Sequence, residues 1–78
     1  MSNLETYDRI FMEIFEVPAE ALPGLKYQDT ASWDSVGHMT MIAELEEAFD
    51  LMMETDDIID FSSYEKGREI LKKYDVEI

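Results

Sequence analysis

Seventy-eight residues with 19 acidic and 6 basic side chains, a net charge of −13 and no cysteine exclude several classes at once. A chain this short makes one domain with a modest core. Without cysteine it has no disulfide framework and no thiolate metal site, and its charge repels nucleic-acid phosphates and anionic lipid.

Leu4, Tyr7, Ile10, Phe11, Ile14 and Phe15 recur at spacings of three and four and predict a helix from Asn3 to about Glu16. Pro18 cannot extend it. Residues 17–34 carry Pro18, Pro23, Gly24, Asp29, Thr30 and Ser32 without a sustained period. They read as a long ordered loop pinned by Leu22, Leu25, Tyr27 and Trp33, and so long a loop in so small a domain points to function. A second helix is predicted from Ser35 to Asp50, with Asp34 and Ser35 both suited to accept the free N–H groups of its first turn. Residues 50–54 connect it to a short third helix over 56–61, capped by Thr55 or Asp56 and carrying Ile58, Ile59 and Phe61. Ser62 with Glu65 forms a capping box for a last helix that runs to about Tyr74. Gly67 within that helix reads as a blemish costing about 1 kcal/mol against Ala.

The expected fold class is therefore all-α, a small four-helix bundle with a long first loop and a short third helix, formed as one domain over residues 1–78. Tyr7, Phe11, Ile14, Met41, Leu45, Phe49, Ile59, Ile70 and Leu71 are the expected core. No apolar run approaches the ~20 residues of a membrane span, and the opening Met-Ser-Asn-Leu-Glu has neither region of a signal peptide. A cytoplasmic monomer is the expectation.

The second helix carries two apolar faces. On a helical wheel His38, Met41, Ile42, Leu45, Ala48 and Phe49 share one arc, the core stripe. Val36, Met39, Thr40, Ala43, Glu46 and Glu47 lie opposite. Packing within one domain needs only the first arc, so the second is read as a partner-binding face. Its setting supports this: between Lys26 and Lys66 there are eleven acids and no cation, a surface that speeds encounter with basic partners. The same acids also serve plain solubility.

Catalytic constellations are nearly absent. His38 is the one histidine and falls on the core arc, as a satisfied side chain rather than a base. The acids from Asp50 to Asp60 lack the spacing and mid-loop glycine of a calcium loop, so no metal site is expected. Gly24, Gly37 and Gly67 are isolated and build no phosphate loop. Ser35 has no second histidine for a triad, and an enzyme is not expected. Ser35 has two readings. It is a plain helix cap, or its hydroxyl faces solvent where a phosphate ester would meet the positive end of the helix.

The stretch Trp33-Asp34-Ser35-Val36-Gly37-His38-Met39, followed by Ile42-Ala43-Glu44-Leu45-Glu46-Glu47-Ala48-Phe49-Asp50, resembles the acyl carrier protein family and its peptidyl and aminoacyl relatives. It is similar to the family's Asp-Ser-Leu motif and the helix that follows, and the long first loop, short third helix and overall length extend the likeness over nearly the whole chain. The resemblance implies a carrier of acyl-carrier type that catalyses nothing itself. Ser35, with Asp34 as motif neighbour, would receive 4′-phosphopantetheine from coenzyme A through a phosphopantetheinyl transferase. The arm's thiol would then hold an acyl or aminoacyl group as a thioester, delivered from a loading enzyme to downstream transferases or synthases. Val36 stands where the family usually has Leu, and Trp33, Gly37 and His38 are more like stand-alone carriers of specialised biosynthetic pathways. The alternative is an unmodified acidic adaptor of the same fold that binds a basic protein through the same helix.

Overall fold

A capping box starts the first helix: Glu5 N–H donates to Ser2 Oγ and Ser2 N–H to Glu5 Oε1, each at 3.1 Å. The structure, a computed structural model, describes residues 2–78. Among these are four α-helices, α1 (Asn3–Phe15), α2 (Ser35–Phe49), α3 (Thr55–Asp60) and α4 (Tyr64–Lys73), with a 3-10 turn at Ala19–Ala21. The expected all-helical architecture is present. α1 stops where Glu16 turns left-handed (φ 54°), two residues before Pro18, and α2 stops the same way at Asp50 (φ 53°).

The core is aromatic and centred on α1. Phe11 is fully buried, with ring centroids of Tyr7 at 4.7 Å, Phe15 at 5.4 Å, Trp33 at 5.5 Å, Tyr64 at 5.5 Å and Phe61 at 6.1 Å. Met41, Ile42 and Leu45 face it from α2, and Ile70 and Leu71 from α4. Five residues depart from the expected core. Ile59 is 72% exposed. Ile58 and Ile59 are adjacent on a helix of six residues, about 100° apart, so both cannot face inward. Ile14 and Phe49 are half-buried at the margin. Ala48 is exposed. Tyr27 remains 38% exposed, and Trp33 fills the space below the loop instead.

The long loop is held by backbone pairing to the start of α4. Tyr27 N–H donates to Ser62 C=O and Tyr64 N–H to Leu25 C=O, each at 2.9 Å, flanking an isolated antiparallel bridge between Lys26 and Ser63. The cap of α4 is Ser63, not Ser62: its Oγ accepts Lys66 N–H at 3.0 Å. Glu65 is thereby free to accept Gly24 N–H at 2.8 Å, clamping the loop to the helix. Tyr7 O–H donates to Tyr64 C=O at 2.8 Å, and Tyr64 O–H donates to Asp8. Burial and the Asp8 carboxylate push Tyr64 up to about 12.

A second clamp joins α3 to α4. Asp57 is buried and accepts from Lys73 Nζ and from Tyr74 O–H, each at 2.5 Å, while Tyr74 Oη accepts Glu54 N–H at 2.9 Å. The Lys73 bond first, then the Tyr74 bond, hold the Asp57 carboxyl below its ordinary 3.8. A depressed carboxyl contributes stability that is complete above its unfolded value and is lost as pH falls through the folded one. Lys73 is raised above its ordinary 10.5 by the same bond, so its share is lost only as pH rises through that higher value. Urea midpoints taken from about pH 6 down to about pH 2 are expected to fall more steeply for the parent than for Asp57→Asn, which has no carboxylate to neutralise. Equal slopes would remove this clamp from the account.

The radius of gyration is 11.2 Å, against about 11.5 Å for a folded chain of this length. Among the described residues no helix is long and apolar enough to cross a membrane.

Candidate functional site

Asp34 caps α2 and Ser35 does not. The Asp34 carboxylate accepts Gly37 N–H at 2.8 Å, and its carbonyl accepts His38 N–H at 2.8 Å. This leaves the Ser35 hydroxyl exposed on the first residue of the helix, where unpaired N–H groups and the helix dipole give a positive end. Gly37 is required by a close approach. A Cβ there would lie 1.9 Å from the Ser32 carbonyl oxygen and 3.4 Å from Asp34 Oδ1, so a side chain would push the loop off the start of the helix.

His38 ties three segments together below this serine. Trp33 Nε1–H lies 3.0 Å from His38 Nδ1, and His38 Nε2 lies 2.8 Å from the Ile58 carbonyl. An indole nitrogen only donates, so Nδ1 must accept, and the Nε2–H tautomer donates to α3. Trp33 in turn stacks on Phe15 at 4.6 Å with 14° between the planes. The chain of contacts runs from α1 through the loop and α2 to α3. With the Nδ1 lone pair taken by Trp33, His38 is not arranged as a base for Ser35.

Ser35 stands on a ridge between two concavities. On one side lies a groove of about 280 Å³ lined by Tyr27, Ser35, His38, Met39, Ile58, Ile59, Phe61 and Ser62. On the other is a shallow depression on the surface of α2, lined by Ser35, Val36, Met39, Thr40, Ala43 and Glu44. The structure thus brings Val36, Met39, Thr40 and Ala43 together beside Ser35. Val36 is 74% and Met39 51% exposed, and the Thr40 hydroxyl is spent on its own helix, donating to Val36 C=O at 2.9 Å. Glu47 is exposed. Glu46 is the exception: it is half-buried, and its carboxylate accepts Met53 N–H at 2.9 Å, so it fastens the connector after α2.

Sequence reasoning missed the far wall of the groove. Ile59 was open to detection, because two adjacent isoleucines on so short a helix leave one unburied. Tyr27 and Ser62 carry no periodic signal. Among the described residues, no three His, Asp or Glu side chains converge as a metal-binding set. Comparison of the chain with protein-family models, with curated proteins and with solved structures found no match.

Proposed function

We propose that this chain is a carrier protein of acyl-carrier type, a small helical bundle that receives 4′-phosphopantetheine on Ser35. One observation carries the reading. A serine hydroxyl, relieved of capping by Asp34, stands exposed at the N-terminus of α2, on a ridge between an apolar groove and an apolar strip bordered by acids. A phosphodiester on Ser35 Oγ fits that position, because its charge meets the positive end of the helix and the Asp34 carboxylate is turned to Gly37 N–H. The arm, once bound, supplies a thiol that carries an acyl or aminoacyl group as a thioester. The chain's own residues hold the attachment point rigid and offer a face to partner enzymes: the transferase, a loading enzyme and downstream acyl- or aminoacyl-accepting enzymes.

The reading is tested by intact mass after reaction with coenzyme A and a broad-specificity phosphopantetheinyl transferase. The parent is expected to gain one phosphopantetheinyl group and Ser35→Ala none. A parent that stays unmodified while folded would leave an acidic adaptor as the better account.

Docking is expected to use Val36, Met39, Thr40 and Ala43 with the acids around them. Reversing Glu44 and Glu47 to Lys should slow association with the transferase on the order of tenfold at low salt, and weaken its salt dependence. Glu46 is left untouched in this test because its loss would release Met53. Stopped-flow rates at two ionic strengths decide it, and a rate unchanged at low salt would put docking on another face.

A further inference from the structure

The chain has no cysteine and six methionines, so its oxidisable sulfur is all thioether. Four of the methionines stand as two pairs, and each pair has one buried member and one open member. Met41 is fully buried while Met39 is 51% exposed, and Met53 is buried while Met52 is 86% exposed. Helical geometry sets the first pair. Residues two apart lie about 200° round the wheel, so α2 turns Met41 to the core and Met39 to solvent. Met12 packs against the core from α1. The two open thioethers differ in their surroundings. Met52 is on the connector after α2 and lines neither concavity beside Ser35. Met39 lines both, and Ser35, one helical turn before it, is the one other residue they share.

We propose that Met39 is a site of reversible oxidation by hydrogen peroxide, and that its sulfoxide weakens docking on the face around Ser35. Peroxide is uncharged, so the acids of this face do not repel it. A lone pair on Met39 Sδ attacks one peroxide oxygen, the O–O bond breaks and an S–O bond forms. The other oxygen leaves as water, taking up the proton of the transferred one. Sulfur loses two electrons and peroxide gains them. The product puts a hydrogen-bond acceptor where a soft apolar group stood. A partner that covers this oxygen must strip its water. The Thr40 hydroxyl beside it is already donated to Val36 C=O, and an apolar partner surface brings no donor, so the acceptor is left unpaired. Methionine sulfoxide reductases, one for each sulfoxide epimer, return the thioether. They pass two electrons from a dithiol, which becomes a disulfide, and the oxygen leaves as water. The effect on docking rests on the carrier reading, whereas the oxidation and its site do not.

Peptide mapping of the full chain after graded hydrogen peroxide should find Met52 and Met39 oxidised about tenfold or more faster than Met41 and Met53. Melts of the same samples should stay cooperative, with midpoints within about 4 °C of the untreated chain. Met52→Leu leaves Met39 the most exposed thioether among the described residues. In that background the species mapped as Met39 sulfoxide should leave a butyl hydrophobic-interaction column earlier than the reduced chain. It should also accept phosphopantetheine from coenzyme A about tenfold more slowly at limiting transferase. The two reductases with dithiothreitol should restore both properties. Met39→Leu has its own loading rate, and peroxide should leave that rate unchanged. Oxidation of Met41 as fast as Met39 would overturn the proposal. So would an oxidised Met52→Leu chain with unchanged retention, or one that loads at the reduced rate. If the reduced chain accepts no phosphopantetheine at all, the carrier reading falls, and mapping with retention still decides the oxidation site.

Discussion

Phe11→Ala is expected to leave the chain largely unfolded at 25 °C. Phe11 is fully buried and lies against Tyr7, Phe15, Trp33, Phe61 and Tyr64, so truncation opens a cavity bounded by rings from α1, the long loop, the residue that ends α3, and α4. Such changes cost about 3–5 kcal/mol, and a domain of this size has about 5 kcal/mol in all. Phe49, expected from its wheel position to be as important, is half-buried at the margin. Phe49→Ala should therefore cost no more than about 2 kcal/mol and leave a cooperative transition. Urea titrations followed by circular dichroism separate the two. Equal midpoints would mean that the ring cluster around Phe11 is not the structural centre.

Gly67→Ala should destabilise the protein, although helix propensity alone predicts a gain of about 1 kcal/mol. The helix packs so closely on the core here that a Cβ would lie 2.1 Å from Phe61 Cζ, 2.4 Å from Phe61 Cε1 and 2.3 Å from Tyr7 Oη. Tyr7 cannot retreat without giving up its bond to the Tyr64 carbonyl, and Phe61 is pressed against Phe11. Overpacking costs about 1–3 kcal/mol and sometimes more, and with three heavy atoms inside 2.5 Å the upper end applies here, which exceeds the propensity gain. The thermal midpoint is expected to drop by roughly 5–15 °C. A midpoint that holds or rises would show that α4 can shift outward freely, and that the Tyr7–Tyr64 bond does not fix it.

Gly67 also shows where the sequence was legible and where it was not. α1 and α2 carry apolar residues at helical spacing over thirteen and fifteen residues, and that periodicity alone located them. Gly67 sits in a helix just as readable, yet its role depends on Phe61 and Tyr7, which no local pattern relates to it. Gly37 is the same case against the Ser32 carbonyl. Ser62 was the expected cap of α4, but Ser63 takes that place, beside the pairing of Leu25 with Tyr64, a contact that no local pattern shows. The site divides along the same line. Val36, Met39, Thr40 and Ala43 lie on one face of one helix, so a wheel finds them together beside Ser35. Glu46 shares that arc but is drawn to Met53 by the turn at Asp50. The groove is built from the loop, α2 and α3, and its His38 link to Trp33 and Ile58 arises only in the folded chain.

The carrier function proposed for this chain depends on Ser35 being a hydroxyl that accepts phosphopantetheine. Ser62 lines the groove and Thr40 the strip beside Ser35, and of the three only Ser35 combines exposure with the first position of α2. Fragment mass spectrometry of the chain after reaction with coenzyme A and a phosphopantetheinyl transferase reads the position directly. The account predicts a single phosphopantetheinyl group on the peptide containing Trp33-Asp34-Ser35-Val36, with the fragment ladder assigning it to Ser35. The group on any other hydroxyl, or none on a chain shown to be folded in the same sample, would contradict it.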